Sequence, residues 1–274
     1  MSSHKIINNN LMFQYAQILF SSYNPLEPDS SLEKTLFETI DSPYLDKYFK
    51  NSVRKIYNSF ILKYYPNETT VKSSFINQVI LKTKKHVTIF ELPIGSSRAD
   101  LCKINGESIS FEIKTDLDNQ SRLLKQLYDY SEIFDKVYII CSVKKLDSII
   151  KFIPESVGIY TYHYNRVHNL KFIHYRKALQ SENINHIKQL QLLQKKELLY
   201  YFNIEGNYRE QLIDKILNIY TSNQINTVFK TVLKNRYKKQ WEFIQVNHNN
   251  ILEIDYQWFF KNTINPNLIY KDNL

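Results

Sequence analysis

The chain has 274 residues, 43% hydrophobic and 14% aromatic, enough for one large domain or a compact core with helical additions, and wholesale disorder is excluded. Its 36 Lys and Arg outnumber 27 Asp and Glu, giving a formal charge of +9 that suits a polyanionic partner, while 21 Tyr, 16 Phe and only 4 Gly also fit the codon bias of an AT-rich genome. No apolar run reaches the eighteen or so residues of a membrane span, and the first residues lack a basic start and apolar core of a secretory leader, so a cytoplasmic protein is expected.

Residues 1–65 read as an N-terminal helical segment. Leu32, Leu36 and Phe37 keep helical spacing, and Tyr44 to Tyr64 repeats it through Leu45, Tyr48, Phe49, Val53, Ile56, Phe60 and Ile61. Pro66-Asn67-Glu68 then opens a helix with a buried stripe of Val71, Phe75, Ile76, Val79 and Ile80. Val87–Leu92, Ala99–Ile104 and Ser108–Thr115 have the β-branched and aromatic content of strands, the last two joined at Asn105-Gly106. Asp118-Asn119 is expected to cap a helix carrying Leu123, Leu127 and Phe134. Val137–Cys141 is a continuous apolar run, as in a central buried strand. A helix from Leu146 to Phe152 and a strand from Val157 to Tyr162 complete the order α-β-β-β-α-β. From His163 onward the pattern predicts helix after helix: Ile184–Tyr201, Tyr208–Tyr220 and Gln224–Lys239. His163, His168 and His174 have no finger spacing with cysteines and read as surface or strand residues. Cys102 and Cys141 fall in apolar strands without zinc spacing and read as buried reduced thiols.

The chemistry concentrates in Asp100, Glu112 and Lys114. Two carboxylates suit a hard cation, Mg²⁺ or Mn²⁺, held against a phosphodiester. A lysine beside them orients the attacking water and steadies developing charge. The strand period of two puts Glu112 and Lys114 on one face. Asp100 joins that face only under one condition. A bare two-residue turn at Asn105-Gly106 would pair Asp100 with Phe111 and point it away from Glu112. A three-residue loop of Asn105, Gly106 and Glu107 pairs Asp100 with Glu112, so a bulge or longer loop is predicted here.

In this strand order, Asp100, Glu112 and Lys114 resemble the PD-(D/E)xK nuclease superfamily. Arg122-Leu123-x₂-Gln126-x₃-Tyr130 resembles the Q-x-x-x-Y element of its RecB-type members. Together with Arg98-Ala99-Asp100 and Glu112-Ile113-Lys114-Thr115-Asp116, the pattern is similar to a poorly characterised bacterial family of that superfamily, densest from Glu68 to Gly158. The resemblance implies an α/β fold with a restriction-endonuclease-like αβββαβ core and mixed sheet at 66–165, flanked by N-terminal and C-terminal helical segments. It implies metal held by Asp100, Glu112 and the Ile113 carbonyl, Lys114 and Gln126 in catalysis, and Arg98, Arg122 and Tyr130 on substrate. A further carboxylate is assigned to Glu68 at its helix start, with Glu91 as competitor.

Residues 166–274 form the C-terminal helical region. Near 192–220, Lys195–Leu199 and Arg209–Ile216 around Gly206 resemble a SAP-like helical hairpin. Lys230, Lys234, Arg236, Lys238 and Lys239 beside Tyr237 and Trp241 suit either backbone contact with stacking or a solvated basic face. The expectation is a metal-dependent nuclease, on DNA in preference to RNA, in a defence or mobile-element setting, with a second copy or a partner protein on its helical regions. The alternatives are a catalytically silent nuclease-fold subunit that binds nucleic acid, and an RNA-cleaving effector.

Overall fold

The computed structural model describes residues 9–45 and 51–270, so the expected helical positions Tyr48 and Phe49 lie outside the described residues. In chain order come α1 (Asn9–Ser22), α2 (Asp29–Thr39), α3 (Ser42–Leu45), α4 (Val53–Tyr64), α5 (Glu68–Phe75), β1 (Val87–Ile94), β2 (Ser97–Ile104), β3 (Ser108–Lys114), α6 (Leu123–Ser131) and β4 (Lys136–Ser142). There follow α7 (Leu146–Ile150), β5 (Gly158–Tyr164), β6 (Leu170–Arg176), α8 (His186–Gln191), α9 (Lys195–Tyr201), α10 (Arg209–Ile219), α11 (Ser222–Asn247), α12 (Tyr256–Asn262) and α13 (Pro266–Tyr270). Among the described residues no helix is long and apolar enough to cross a membrane.

Two compact units divide the chain. The described residues of 1–78, 164–171 and 243–274 form one, and those of 79–163 and 172–242 form the other. The boundaries expected at 65 and 165 follow composition; compactness instead gathers the chain's two ends in one unit.

In the first unit α1, α2 and α4 bury Met12, Ala16, Leu19, Leu32, Leu36, Tyr57, Phe60 and Ile61. Asn67 caps α5 by accepting from the Thr70 amide at 2.8 Å, which satisfies one of the free donors of the first turn. Asp255, 1% exposed, accepts from the Tyr23 hydroxyl at 2.8 Å and the Tyr270 hydroxyl at 2.6 Å.

The second unit is built on a six-stranded mixed sheet in the order β1-β2-β3-β4-β5-β6. Strands β1, β2 and β3 form an antiparallel meander, and β3, β4 and β5 run parallel. Parallel neighbours need crossovers, and α6 and α7 supply them. The expected α-β-β-β-α-β order is thus present in the chain from α5 to β4, and the expected helix and strand after it follow as α7 and β5. Strand β6 corrects the expectation of helix after helix beyond His163. Cys102 and Cys141 are buried free thiols in β2 and β4, and burial pushes Cys141 up to about 12.

The expected helix over Ile184–Tyr201 is two, α8 and α9, and Gln194 starts the second with a reciprocal capping box to Glu197. On α11 part of the basic and aromatic set turns inward, while Lys238 and Lys239 are exposed. Lys230 reaches Asp135 at 3.1 Å, the Arg236 Nε reaches Glu197 at 2.9 Å, and Trp241 is fully buried with its ring 5.1 Å from that of His86. A buried indole cannot stack on a base, which removes Trp241 from the expected nucleic-acid face.

Burial raises the Asp255 carboxyl to about 6, against the opposing pull of its tyrosine hydrogen bonds and of Arg54. A carboxyl whose folded value lies above its unfolded value favours folding while protonated, and that contribution is lost as pH rises through the folded value. Stability of this unit should therefore fall by up to about 3 kcal/mol between pH 4 and pH 7 on this group's account. Asp255→Asn keeps an oxygen for both tyrosines and removes the charge, so urea melts should show a gain at pH 7 that shrinks toward pH 4.

Candidate active site

The hairpin between β2 and β3 sets the geometry. Ile104 pairs with Ser108, Lys103 with Ile109, Cys102 with Ser110 and Leu101 with Phe111. The loop is therefore Asn105, Gly106 and Glu107, the length the sequence argument required. The Asn105 amide donates to the Glu107 carbonyl at 3.0 Å, and Gly106 takes φ +98°, a conformation that strains any side chain. Carried one residue on, this register sets Asp100 opposite Glu112. There the carboxylate enters the ladder, Asp100 Oδ2 accepting from the Ile113 amide at 2.7 Å.

Glu112 is 1% exposed and fully engaged. Its Oε1 accepts from Lys114 Nζ at 2.7 Å and its Oε2 from the Tyr130 hydroxyl at 2.8 Å. Lys114 also donates to Gln126 Oε1 at 3.0 Å. Gln126 and Tyr130 stand one turn apart on α6, so the helix delivers both to the end of β3. Asp100, Glu112, Lys114 and Gln126 are thus together in one unit, Asp100 itself being buried.

Tyr130 takes a role different from the expected substrate contact. It is 0% exposed, and its hydroxyl lies 2.7 Å from the Arg98 carbonyl as well as on Glu112. Burial first, and then the Glu112 charge, hold the phenol well above its ordinary value, so it remains a donor. Tyr130 braces Glu112 from inside the fold and is closed to substrate. Arg122 stands exposed at the boundary preceding α6.

Glu91 in β1 faces Asp100 between the pairs Phe90–Leu101 and Leu92–Ala99. It adopts φ +55° within a strand, and one of its carboxylate oxygens lies within 4.8 Å of one of Asp100. Arg98, its side chain 63% exposed, places Nε 2.5 Å from Glu91 Oε2. Glu68 belongs to the other unit, where it opens α5 and accepts from Lys72 at 2.8 Å. Asp118 does not cap α6, which starts at Leu123. It closes a turn instead, accepting from the Thr115 amide at 2.7 Å and the Thr115 hydroxyl at 2.8 Å. Lys145 fixes that turn from outside, reaching the Thr115 carbonyl at 2.7 Å and the Asp118 carbonyl at 2.8 Å. No local signal in the sequence marks Lys145, because its acceptors are backbone oxygens far along the chain.

Asp100 and Glu91 present carboxylate oxygens within 4.8 Å of one another, the kind of donor a hard divalent cation takes. All side-chain donors are carboxylate oxygens, and an oxygen that accepts one hydrogen bond keeps a second lone pair for a ligand bond. Tyr130→Phe removes the one proton this hydroxyl can donate, and with it the brace on Glu112. It should cost about 1–3 kcal/mol, visible as a lower melting temperature, whereas Tyr128→Phe on the exposed side of α6 should leave melting unchanged.

Three findings place the chain among known proteins. It is 32% identical over 147 residues to "Protein cII" of Enterobacteria phage P4, a match covering 52% of this chain and 55% of that protein. The chain thus spans only about half the length of that relative. A solved structure, the SPO1766 protein of unknown function from Silicibacter pomeroyi, aligns over 47% of this chain and 87% of its own at 17% identity and TM-score 0.30, too slight a likeness to carry an argument. The family model described as Bacteriophage P4 protein cII matches residues 63–257, which take in the whole sheet and the candidate site, and the chain belongs to that family.

Proposed function

We propose that this protein is a metal-dependent nuclease with a restriction-endonuclease-like core, acting on DNA in preference to RNA. The observation that carries the reading is the three-residue loop, whose register turns Asp100 toward the face that holds Glu112 and Lys114. A solvated Glu-x-Lys strand has no need of that register, nor of a glutamate 1% exposed with a donor on each oxygen.

Asp100 and Glu112 hold Mg²⁺ or Mn²⁺, joined by the Ile113 carbonyl, and Glu91 supplies a third carboxylate from β1. When bound, the ion supplies Lewis-acid polarisation of the phosphate and a more acidic water. Lys114 is aimed by two acceptors, and its third N–H is left for the attacking water or a phosphate oxygen. Gln126 gives its carbonyl to Lys114, so its amide hydrogens are free to meet a non-bridging phosphate oxygen. Arg98, exposed beside Glu91, is placed to meet the phosphate backbone.

Supercoiled plasmid, linear duplex, single strands and total RNA, each with Mg²⁺, Mn²⁺ or EDTA, test the reading. Cleavage is expected with metal only and on DNA first. Asp100→Asn and Glu112→Gln should abolish it, and Lys114→Ala should slow it by about 10²–10³-fold. Wild-type rates in Glu112→Gln would refute the assignment. Deleting Glu107 shortens the loop by one residue and should abolish cleavage by turning Asp100 to the other face, with α6 and β4 still formed by circular dichroism.

A further inference from the structure

The surplus of positive charge is unevenly spent. On the helices of the second unit basic residues are intermixed with acidic ones, and Lys188, Lys230, Arg236 and Lys238 form ion pairs with Glu132, Asp135, Glu197 and Glu242. Strand β6 differs. No Asp or Glu occurs between Glu155 and Glu182, while Lys171, Arg176 and Lys177 fall within that stretch. Arg176 fixes its guanidinium on the Val157 carbonyl at 2.8 Å and the Pro154 carbonyl at 3.0 Å, which leaves its charge uncompensated. Lys171 and Lys177 are exposed.

The faces of the strand can be assigned. The His174 ring stacks on Tyr160 at 4.6 Å, Tyr160 approaches Tyr138 at 5.4 Å, and Tyr138 stacks on Phe111 at 5.6 Å. That row marks one face of the sheet. Glu112 alternates with Phe111 and points to the other face, and Ile173 and Tyr175, alternating with His174, point there too. Ile173 is 49% and Tyr175 53% exposed, an unusual openness for large apolar side chains on a sheet. Strand β6 closes the sheet three places from β3, about 14 Å away at the usual strand spacing.

We infer that the second unit's part of β6 is a docking strand for single-stranded nucleic acid, with Lys177 on a phosphate and a base stacked on Tyr175. The charge is positive and uncompensated, the exposed ring offers a stacking platform, and the surface shares the sheet face of the catalytic residues. The inference rests on the nuclease reading for what then happens to the strand, whereas docking itself needs no metal. Lysines on an edge strand have another use, in blocking edge-to-edge pairing between copies. The test separates the two.

Fluorescence anisotropy with a labelled oligothymidylate in EDTA, over a range of salt, reads docking alone. Lys177→Gln should weaken binding and lower the log–log salt slope by about 0.7, the effect of one lost phosphate contact on a single strand. Tyr175→Ala should weaken it about tenfold or more, and Tyr175→Phe should restore it, because the ring and not the hydroxyl stacks. Glu112→Gln should bind as wild type in this assay and fail only in cleavage, so loss of the nuclease reading and loss of the docking surface give different patterns. Unchanged affinity and slope in Lys177→Gln overturn the inference. A shift of that variant to dimers or aggregates in light scattering, with binding intact, overturns it in favour of edge protection.

Discussion

The register of one hairpin governs the candidate site. Side chains on a strand alternate faces, so one residue more or less in the loop before β3 moves every side chain of that strand relative to β2. The loop of Asn105, Gly106 and Glu107 is held at both ends. Gly106 supplies the positive φ, and Glu107 pairs with Lys136 at 2.5 Å at the start of β4. The next residue, Ser108, is clamped to Asp135, whose Oδ2 accepts from the Ser108 amide at 2.7 Å and its hydroxyl at 3.0 Å. Asp135 also accepts from Asn226 at 2.8 Å and from Lys230, which ties the hairpin base to α11. Burial alone would raise the Asp135 carboxyl, but these donors outweigh it and hold the group below its ordinary value. A register slip would forfeit this set of bonds as well as the facing of Asp100 and Glu112.

Given that register, the buried charges of the site depend on α6. An ionised carboxylate at 1% exposure is costly unless both oxygens are satisfied. Glu112 finds one donor on its own strand, Lys114, and one on α6, Tyr130. The helix returns a second contact through Gln126, whose carbonyl receives Lys114. Because Gln126 and Tyr130 lie four residues apart, only one rotation of α6 satisfies both, and Leu123 and Leu127, both buried, fix that rotation from the apolar side. The crossover from β3 to β4 thus sets the geometry of Lys114 as well as the direction of the sheet.

The parts of this arrangement that were legible in the sequence are local. Glu112 and Lys114 share a face by strand period, and the loop length followed from asking how Asp100 could join them. Gln126 and Tyr130 were legible as neighbours on a helix, but the burial of Tyr130 depends on packing across the sheet and inverts its role. The helical basic set misled for a similar reason: Lys230 and Arg236 find carboxylates 95 and 39 residues away, and only the fold brings those partners near. Strand β6 escaped notice because both its faces are partly open, which erases the apolar alternation. Its preceding turn uses His168 at φ +56° in place of a glycine or proline.

Backbone strain separates the two candidates for the third carboxylate. Glu68 sits at a helix start, bonded to Lys72 in the next turn, an arrangement that the helix dipole and a one-turn ion pair explain completely. Glu91 has no such local account. The β1–β2 ladder keeps the same register on both sides of it, so its left-handed φ serves neither a bulge nor a turn. A non-glycine residue in that region costs about 1–3 kcal/mol and persists only where the surroundings over-determine it. Here they do so with an ion pair to Arg98 at 2.5 Å and unbroken pairing on either side, and the residue strained is the one facing Asp100. Strain that the sheet does not need, at the position of β1 opposite Asp100, is the observation that supports Glu91 as a ligand in the proposed site.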